Sequence, residues 1–214
     1  FSSIFSGVNF LATVLTMRAP GMGWKRVPIF TWSIISSSII QIMGTSVVAA
    51  SLILVIFDRV LHTTFFNSDL GGNVLLYQHL FWYYSHPAVY IMILPAFGAI
   101  LEIIPVYARK PLFAYKLVAG SLLAITALSF VVWAHHMFTS GMWMLLKLPF
   151  MVNTELISIP TGVVFLAILG TLWRAKIRLD SPMLWALAMT ANFLIGGLTG
   201  IPLADAPTDL HLHD

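Results

Sequence analysis

Five long apolar runs follow one another along this chain and constrain its fold more than any other feature. They cover roughly residues 28–57, 79–105, 112–134, 144–172 and 181–203. About 20 consecutive apolar residues are enough for a helix to cross the hydrocarbon core of a membrane. Each run reaches that length, and the links between the runs are short, as in a bundle of antiparallel helices. The sequence therefore predicts an all-α, polytopic transmembrane helix bundle with about five full spans.

Composition agrees with this prediction and excludes other classes of protein. Of the 214 residues, 59% are hydrophobic and only 9% are charged, whereas soluble domains have about 25% charged residues. The formal charge of +3 does not indicate nucleic-acid binding, because the basic residues form short clusters between apolar runs. Cysteine is absent, which excludes disulfides and thiolate metal sites. The chain opens without Met in an apolar stretch that ends before residue 17, which predicts part of a sixth span and a fragment of a longer protein.

Lysine and arginine are distributed unevenly between alternate links, which predicts an orientation in the membrane. Arg59 and Lys147 lie in the links on one side. The other nine of the eleven basic residues lie in the alternate links, as Arg18, Lys25, Arg26, Arg109, Lys110, Lys116, Arg174, Lys176 and Arg178. Links rich in basic residues usually face the cytoplasm, so we expect this side to be cytoplasmic. The C-terminal residues and the segment with His135 and His136 are then expected toward the outer side.

Two residues of the second run, His86 and Tyr90, point to a functional site, because ionisable side chains inside membranes are rare and commonly functional. They are four residues apart and therefore share one helix face. Pro87 and Pro95 in the same run each remove a backbone donor, which predicts a bent and irregular helix near His86. The alternative is a buried histidine that is hydrogen-bonded to a hydroxyl or carbonyl group of a neighbouring helix.

His135 and His136 are adjacent at the end of the third run. Neighbouring residues of an α-helix point about 100° apart, so both could reach one ion only near a helix end or a bend. Together with His86 they would supply three imidazole nitrogens and leave a coordination position open. Such a ligand set suits copper, zinc or iron, and the ligand type alone does not choose the metal. The alternative is a solvated link at the outer surface.

Four segments carry a resemblance to a known family: YQHLFWYYSHPAVYIMILPAFG, WAHHMFTSGM, ISIPTGV and GGLTGIPLADAPTDLHLHD. In this order they resemble subunit I of the heme-copper oxygen reductases, the catalytic subunit of cytochrome c oxidase. The resemblance extends over all 214 residues and implies a single subunit I-like transmembrane domain, residues 1–214, from the centre of a twelve-span subunit. It also implies reduction of O2 to water in aerobic respiration, with electrons from cytochrome c or a similar donor, coupled to proton uptake or translocation.

The same resemblance implies roles for the histidines and the tyrosine. His86, His135 and His136 match the ligands of a copper ion beside a high-spin heme. Tyr90 matches a tyrosine that is covalently linked to the first of these histidines and supplies an electron and a proton when the O–O bond is cleaved. The iron ligands of the high-spin and low-spin hemes are expected outside this fragment, which by itself should not be catalytic.

Further matches lie around this site and near the C-terminus. Trp82 and Trp133 match aromatic residues that line the heme pocket, with ordinary packing or interfacial aromatics as the alternative. His213 and Asp214 match a pair that binds Mg or Mn at the interface with oxidase subunit II, which suits a hard cation. Asp209 would lie near the heme propionates. The alternative for this C-terminal segment is an exposed polar tail.

The chain departs from the family pattern where protons are supplied. Ala88 replaces a glutamate that usually ends one proton path. Tyr84 and Ser85 resemble a bacterial subclass in which a Tyr-Ser pair takes over that role, unless both hydroxyls only bond helix carbonyls freed by proline.

A second proton path, which leads to Tyr90, also differs. Thr161 remains, but Val164 replaces a lysine and Leu101 replaces a serine. Glu102 and Glu155 are possible replacements, because an intramembrane carboxylate is rare and can relay protons. For Glu155 the alternative is a pairing with a neighbouring subunit.

Two other functions compete with the terminal oxidase. A related nitric oxide reductase would have non-heme iron in place of copper; the altered path to Tyr90 favours it, and Tyr90 itself speaks against it. A transporter or structural membrane subunit would have no redox site. The Tyr-Ser pair favours a bacterial cytoplasmic (inner) membrane, where the expected partners are other oxidase subunits, cytochrome c, O2 and lipid, and not nucleic acid.

Overall fold

The computed structural model describes residues 1–213, in which the regular structure is helical and no β-strand occurs. Within these residues the α-helices are α1 (Ser2–Thr16), α2 (Ile29–Val60), α3 (Val74–Ala108), α4 (Tyr115–Leu128), α5 (Met144–Leu156), α6 (Ser158–Leu172), α7 (Ser181–Leu203) and α8 (Ala206–Leu212). Short 3₁₀ helices lie at Trp24–Arg26, Ser68–Leu70, Ser129–Val131 and Trp133–Met137. The predicted all-α class is confirmed.

Five helical segments are long and apolar enough to cross a membrane: Ile29–Val60, Val74–Ala108, Tyr115–Met137, Met144–Leu172 and Ser181–Leu203. They agree with the five predicted runs apart from small shifts at the ends. The third continues from α4 into two 3₁₀ helices, and in the fourth α5 meets α6 at Ile157. The apolar stretch before residue 17 forms α1, which is a shorter apolar helix.

Helix α3 is unbroken through Pro87, Pro95 and Pro105. The prediction that the backbone loses its helical regularity near His86 is therefore wrong. Each proline removes one backbone donor, and the remaining hydrogen bonds continue the helix on both sides of it. Neighbouring helices pack along α3, which supports a helix with missing bonds in an apolar bundle.

Helices α2 and α3 form the most extensive helix pair of the structure and run antiparallel. Near the start of α2, the Ser33 side chain lies against Gly98 so closely that a Cβ at Gly98 would collide with it. Further along α2, Gly44 lies against Tyr84, and a Cβ at Gly44 would be 3.3 Å from Tyr84 Cδ2. Glycine thus permits the close approach of the two helices at both levels.

The core lies where α2, α3, α4 and α6 meet. Its fully buried side chains, each at most 1% exposed, include Ile40, Leu94, Leu101, Leu122, Val164 and Ile168. Large apolar side chains also cover the outside of the bundle, such as Met92 on α3 and Trp185 on α7. An apolar exterior around an apolar core is typical of helices that are solvated by lipid.

The three links rich in lysine and arginine gather at one end of the bundle, which we call the basic end. The Tyr115 hydroxyl donates to the Val27 carbonyl and thereby joins the link before α2 to the start of α4. Lys110 Nζ donates to the Trp173 carbonyl at 2.6 Å and joins the link after α3 to the end of α6. The structure thus brings the basic links together, while their cytoplasmic orientation stays a prediction.

Candidate metal centre

Three imidazoles converge at the end of the bundle opposite the basic end. His86 comes from α3 and is 6% exposed; His135 and His136 come from the 3₁₀ helix Trp133–Met137. One ring nitrogen of each histidine lies within 4.8 Å of the corresponding nitrogens of the other two. His86 Nδ1 and His136 Nε2 are 3.1 Å apart, and the His135 ring centroid lies 4.4 Å from that of His86.

The local backbone explains how two adjacent histidines reach one point. Helix α4 ends at Leu128, and the chain continues through two 3₁₀ helices that are separated at Val132, where φ is −122°. The histidines therefore lie beyond the regular α-helix, at the kind of helix end that the sequence predicted for a shared ligand. Both rings then turn toward His86 on α3, with 4.3 Å between their own centroids.

The hydrogen bonds of Thr154 leave a lone pair of His135 free for a cation. Thr154 Oγ1 donates to the Phe150 carbonyl at 2.6 Å. Its oxygen therefore accepts from His135 Nδ1, which lies 3.0 Å away. A neutral imidazole that donates from Nδ1 carries its lone pair on Nε2. Thr154 thus orients His135 in the way that hydroxyl and carbonyl groups orient metal-binding histidines.

The rings of His86 and His136 are also arranged so that each can offer a lone pair to a cation. His86 Nδ1 and His136 Nε2 face each other at hydrogen-bond distance, so without a cation one of them must donate to the other. A cation between the rings would let both nitrogens act as ligands. His86 Nε2 is buried and has no hydrogen-bond partner among residues 1–213. The Tyr90 ring lies on the same side of α3, with its centroid 4.9 Å from that of His86.

Aromatic side chains hold the histidine segment on its other side. The Trp82 ring stacks on His136 at 4.0 Å between centroids, with 7° between the ring planes. Trp133 Nε1 donates to His79 Nδ1 at 3.2 Å, and its ring packs edge-on against Tyr83. Both tryptophans pack in a second, smaller apolar cluster beside the histidines. Neither lines the cavity described next, so their assignment to the heme pocket stays a prediction.

A cavity of about 520 Å³ opens beside the histidines and is lined mainly by apolar residues of α6 and α7. His135, His136 and Tyr90 form part of its wall, with Phe165 and Phe193 among the apolar side chains. Its volume is within the range of cavities that bind organic ligands and cofactors. The cavity can therefore hold an apolar organic ligand in contact with His135 and His136.

The C-terminal acidic and histidine residues lie at the edge of this cavity. Asp209 is buried, and its Oδ2 lies 3.2 Å from His213 Nδ1. Both residues line the cavity, and the assignment of Asp209 to the heme propionates stays a prediction. Asp214 is outside the described residues, and the predicted Mg or Mn pair of His213 and Asp214 stays a prediction.

The predicted proton-path residues divide into two groups. Near the histidines, Tyr84 and Ser85 are half-buried, and within residues 1–213 neither hydroxyl bonds a freed helix carbonyl. Thr161 lines the cavity together with Tyr90 and donates to the Ile157 carbonyl at 2.9 Å.

The other members of the predicted paths lie further away. Leu101 and Val164 are fully buried in the core between α3 and α6, so apolar side chains fill that route. Glu102 lies at the basic end, where its carboxylate accepts from the Phe30 N–H at 3.3 Å. Glu155 is exposed on the outside of α5 and does not line the cavity.

Two contacts of the site were not predicted from the sequence. Thr154 lies on α5, 19 residues after His135, and no local sequence pattern indicates a contact between them. His79 could have been found, because it precedes His86 by seven residues and so lies on the same face of α3, two turns away. Both residues position the ligand segment instead of adding a ligand to the cluster.

Comparison with known proteins gives consistent matches along the whole chain. The family model for cytochrome c and quinol oxidase polypeptide I matches residues 1–214. Cytochrome c oxidase subunit 1 of Thermostichus vulcanus is 48% identical over the full chain, which covers 39% of that relative. The corresponding subunits of Synechocystis sp. and Cereibacter sphaeroides are 51% and 42% identical, with 39% and 38% of their lengths covered. The chain thus spans about two fifths of these relatives.

The Thr154 contact predicts a specific effect on metal binding. Thr154→Val removes the oxygen that accepts from His135 Nδ1, so the ring loses its fixed orientation and copper affinity should fall by about 10–100-fold. Thr154→Ser keeps the hydroxyl and serves as the matched control. Copper retained by the full-length protein against chelators of graded strength measures the effect, and equal retention in both variants would contradict it.

Proposed function

The chain belongs to the cytochrome c and quinol oxidase polypeptide I family, and we propose that it forms the centre of the catalytic subunit of a terminal respiratory oxidase. In this proposal residues 1–214 are part of one transmembrane domain, and the complete protein reduces O2 to water with electrons from cytochrome c. The family consists of membrane oxidoreductase subunits, and its members imply heme and copper.

The convergence of His86, His135 and His136 beside a cavity is the observation that carries the proposal. Three imidazole nitrogens form a ligand set that suits copper. For His135, the hydrogen bond from Nδ1 to Thr154 leaves Nε2 as the nitrogen that can bind the metal. The apolar cavity beside His135 and His136 has the size and character needed for a heme. When bound, the heme and copper supply the redox chemistry of O2 reduction.

The protein's own residues would control the proton that this reaction needs close to the metal. Tyr90 lines the cavity, and its ring lies next to His86, so its phenol can deliver a proton there. His86 Nε2, which has no hydrogen-bond partner among residues 1–213, is available for the covalent link to Tyr90 that the family resemblance implies. Such a link would hold the phenol at a fixed distance from the metal ligands. In this position the phenol of Tyr90 would also supply an electron.

The remaining assignments follow from the same family membership. Asp209 would meet the heme propionates at the cavity edge, and His213 with Asp214 would bind Mg or Mn against oxidase subunit II. Trp82 would keep His136 in place by stacking, and Trp133 would do so through its contact with His79.

The proposed location is the cytoplasmic membrane of a bacterium. The chain is a multi-pass membrane protein, and bacterial members of the family support this membrane. The basic end would face the cytoplasm, because lysine and arginine concentrate in cytoplasmic links. The metal centre would then lie toward the outer side, together with the partner subunits.

A nitric oxide reductase with non-heme iron is the second candidate. The observation in its favour is the apolar packing between α3 and α6, where the family's lysine and serine positions are occupied by the fully buried Val164 and Leu101. Against it stands Tyr90 itself, which lines the cavity beside the histidines. Elemental analysis separates the two: one copper per high-spin heme supports the oxidase, and non-heme iron supports the reductase.

Replacement of one ligand tests the proposed oxidase directly. In the full-length protein, His136→Ala should abolish both copper retention and O2 consumption, because two imidazoles cannot complete the site. His211→Ala is the matched control, since this histidine is exposed on α8 outside the cluster. Elemental analysis and an oxygen electrode measure both properties; wild-type copper content in the His136 variant would refute the assignment.

Glu155 provides a separate test of proton supply. If this carboxylate delivers protons to the site, Glu155→Gln should slow O2 turnover while the copper content stays at the parent value. The alternative is that Glu155, which is exposed on α5, contacts a neighbouring subunit. Unchanged turnover together with weaker subunit association would support that alternative and remove Glu155 from the proton path.

A further inference from the structure

Helix α2 has a line of polar side chains inside this otherwise apolar bundle. Ser33, Ser37, Gln41 and Thr45 follow one another at intervals of four residues, which puts them on one ridge that winds about 120° around the helix from Ser33 to Thr45. At 1.5 Å per residue the ridge extends over about 18 Å along the helix axis. Ser33 and Ser37 are buried, and Gln41 and Thr45 are half-buried.

At the basic end the ridge begins beside a carboxylate. Glu102 is exposed there and accepts a hydrogen bond from the Phe30 N–H. Ser33 lies within one turn of Phe30 on α2, and its side chain packs against Gly98, which is one turn from Glu102 on α3. The Ser33 hydroxyl donates to the Phe30 carbonyl at 2.7 Å, so Phe30 is bonded both to Glu102 and to the first hydroxyl of the ridge.

At its other end the ridge reaches the Tyr-Ser pair. Gly44 lies against Tyr84, since a Cβ there would be 3.3 Å from Tyr84 Cδ2 and 4.0 Å from Pro87 Cβ. Thr45, the next residue of α2, is thus at the level of Tyr84 and Ser85. Pro87 also leaves the Tyr83 carbonyl without its helical donor on this side of α3.

Two hydroxyls of α2 in this region are buried without a protein partner. Thr45 Oγ1 and Ser36 Oγ have no hydrogen bond among residues 1–213, and Ser36 is 0% exposed. By contrast, Ser37 and Ser46 donate to carbonyls one turn earlier on the same helix, at 2.9 and 2.8 Å. Buried hydroxyls in proteins are nearly always hydrogen-bonded, and ordered water is the usual partner where protein groups are absent.

We propose that internal waters along this ridge link Glu102 to Tyr84 and Ser85 and conduct protons toward the metal centre. The inference rests on the proposed oxidase function and names a route for its proton supply. Hydroxyl, amide and water groups both donate and accept. At each step one O–H or N–H bond breaks at the donor while another forms at the acceptor, and the proton that enters at Glu102 is balanced by one that leaves at the Tyr-Ser pair.

This route would carry protons along a side of α3 other than the apolar contact between α3 and α6. The space between α3 and α6 is filled by Leu101 and Val164. The ridge begins against α3 at Gly98 and ends at the level of the Tyr-Ser pair, which precedes Tyr90 by about one and a half turns. The polar groups of α2 thereby offer a way to the metal centre that ends at the Tyr-Ser pair and not at Tyr90.

Thr45 allows a sharp test in the assembled full-length oxidase. Thr45→Val keeps the branched shape and removes the hydroxyl, Thr45→Ser restores a hydroxyl, and Ser46→Ala removes an exposed hydroxyl from the same turn of α2. Proton uptake from the basic side is followed with a pH-indicator dye during a single turnover. Copper content and heme spectra are recorded for each variant, so that a loss of assembly is recognised.

Proton uptake should be about tenfold slower in the Val variant, equivalent to about 1.4 kcal/mol, the size of one lost hydrogen bond. Uptake should recover in the Ser variant and stay at the parent rate in the Ser46 variant. Infrared difference spectra should also lose an internal-water O–H band in the Val variant alone. Equal uptake in all variants, or an unchanged water band, would overturn the ridge as a proton route.

The outcomes also distinguish this inference from the proposed function. A parent protein that lacks copper and consumes no O2 would refute the oxidase, while the water band would still report on the ridge. A parent protein that binds copper and reduces O2, but whose Thr45→Val variant behaves like Ser46→Ala, would refute only the ridge.

Discussion

The convergence of one buried and two half-buried imidazoles at one point of an apolar bundle is the constraint on which the site depends. Each buried ring nitrogen needs a hydrogen-bond partner or a metal ion, because an unpaired polar group in low dielectric destabilises the fold. Thr154 accounts for one nitrogen of His135, but the nitrogens that face one another within 4.8 Å cannot all donate when the rings are neutral. A single cation provides a partner for all three, which explains why they converge.

Helix α3 connects this centre to the rest of the protein. It carries His86 and Tyr90 at the site, the Tyr-Ser pair just before them, and Glu102 near its other end. Because the helix is continuous through its prolines, these groups keep fixed positions relative to one another along one rod. Toward α6 the contacts of α3 are apolar, whereas toward α2 they also include Ser33, which lies against Gly98. In the proposed function, proton supply and metal binding thus depend on the same helix.

Much of the architecture followed from the sequence, because membrane spans are defined by the length of apolar runs. The His86, His135 and His136 cluster was also accessible, since imidazoles are scarce in such runs and their spacing restricts where they can meet. The Thr154 contact was not, because it joins residues of different helices. The outward position of Glu155 could not be deduced either: a uniformly apolar helix gives no periodicity that separates its lipid-facing side from its core side. Continuity of α3 at Pro87 depended on packing by neighbouring helices.

The coordination of copper in the full-length protein tests the central claim most directly. X-ray absorption at the copper edge should give three imidazole nitrogens at about 2 Å, and the signal should decrease when His86, His135 or His136 is replaced. Absence of copper from a fully assembled, heme-containing preparation would contradict the account. So would copper whose ligand shell does not change in any of the three histidine variants.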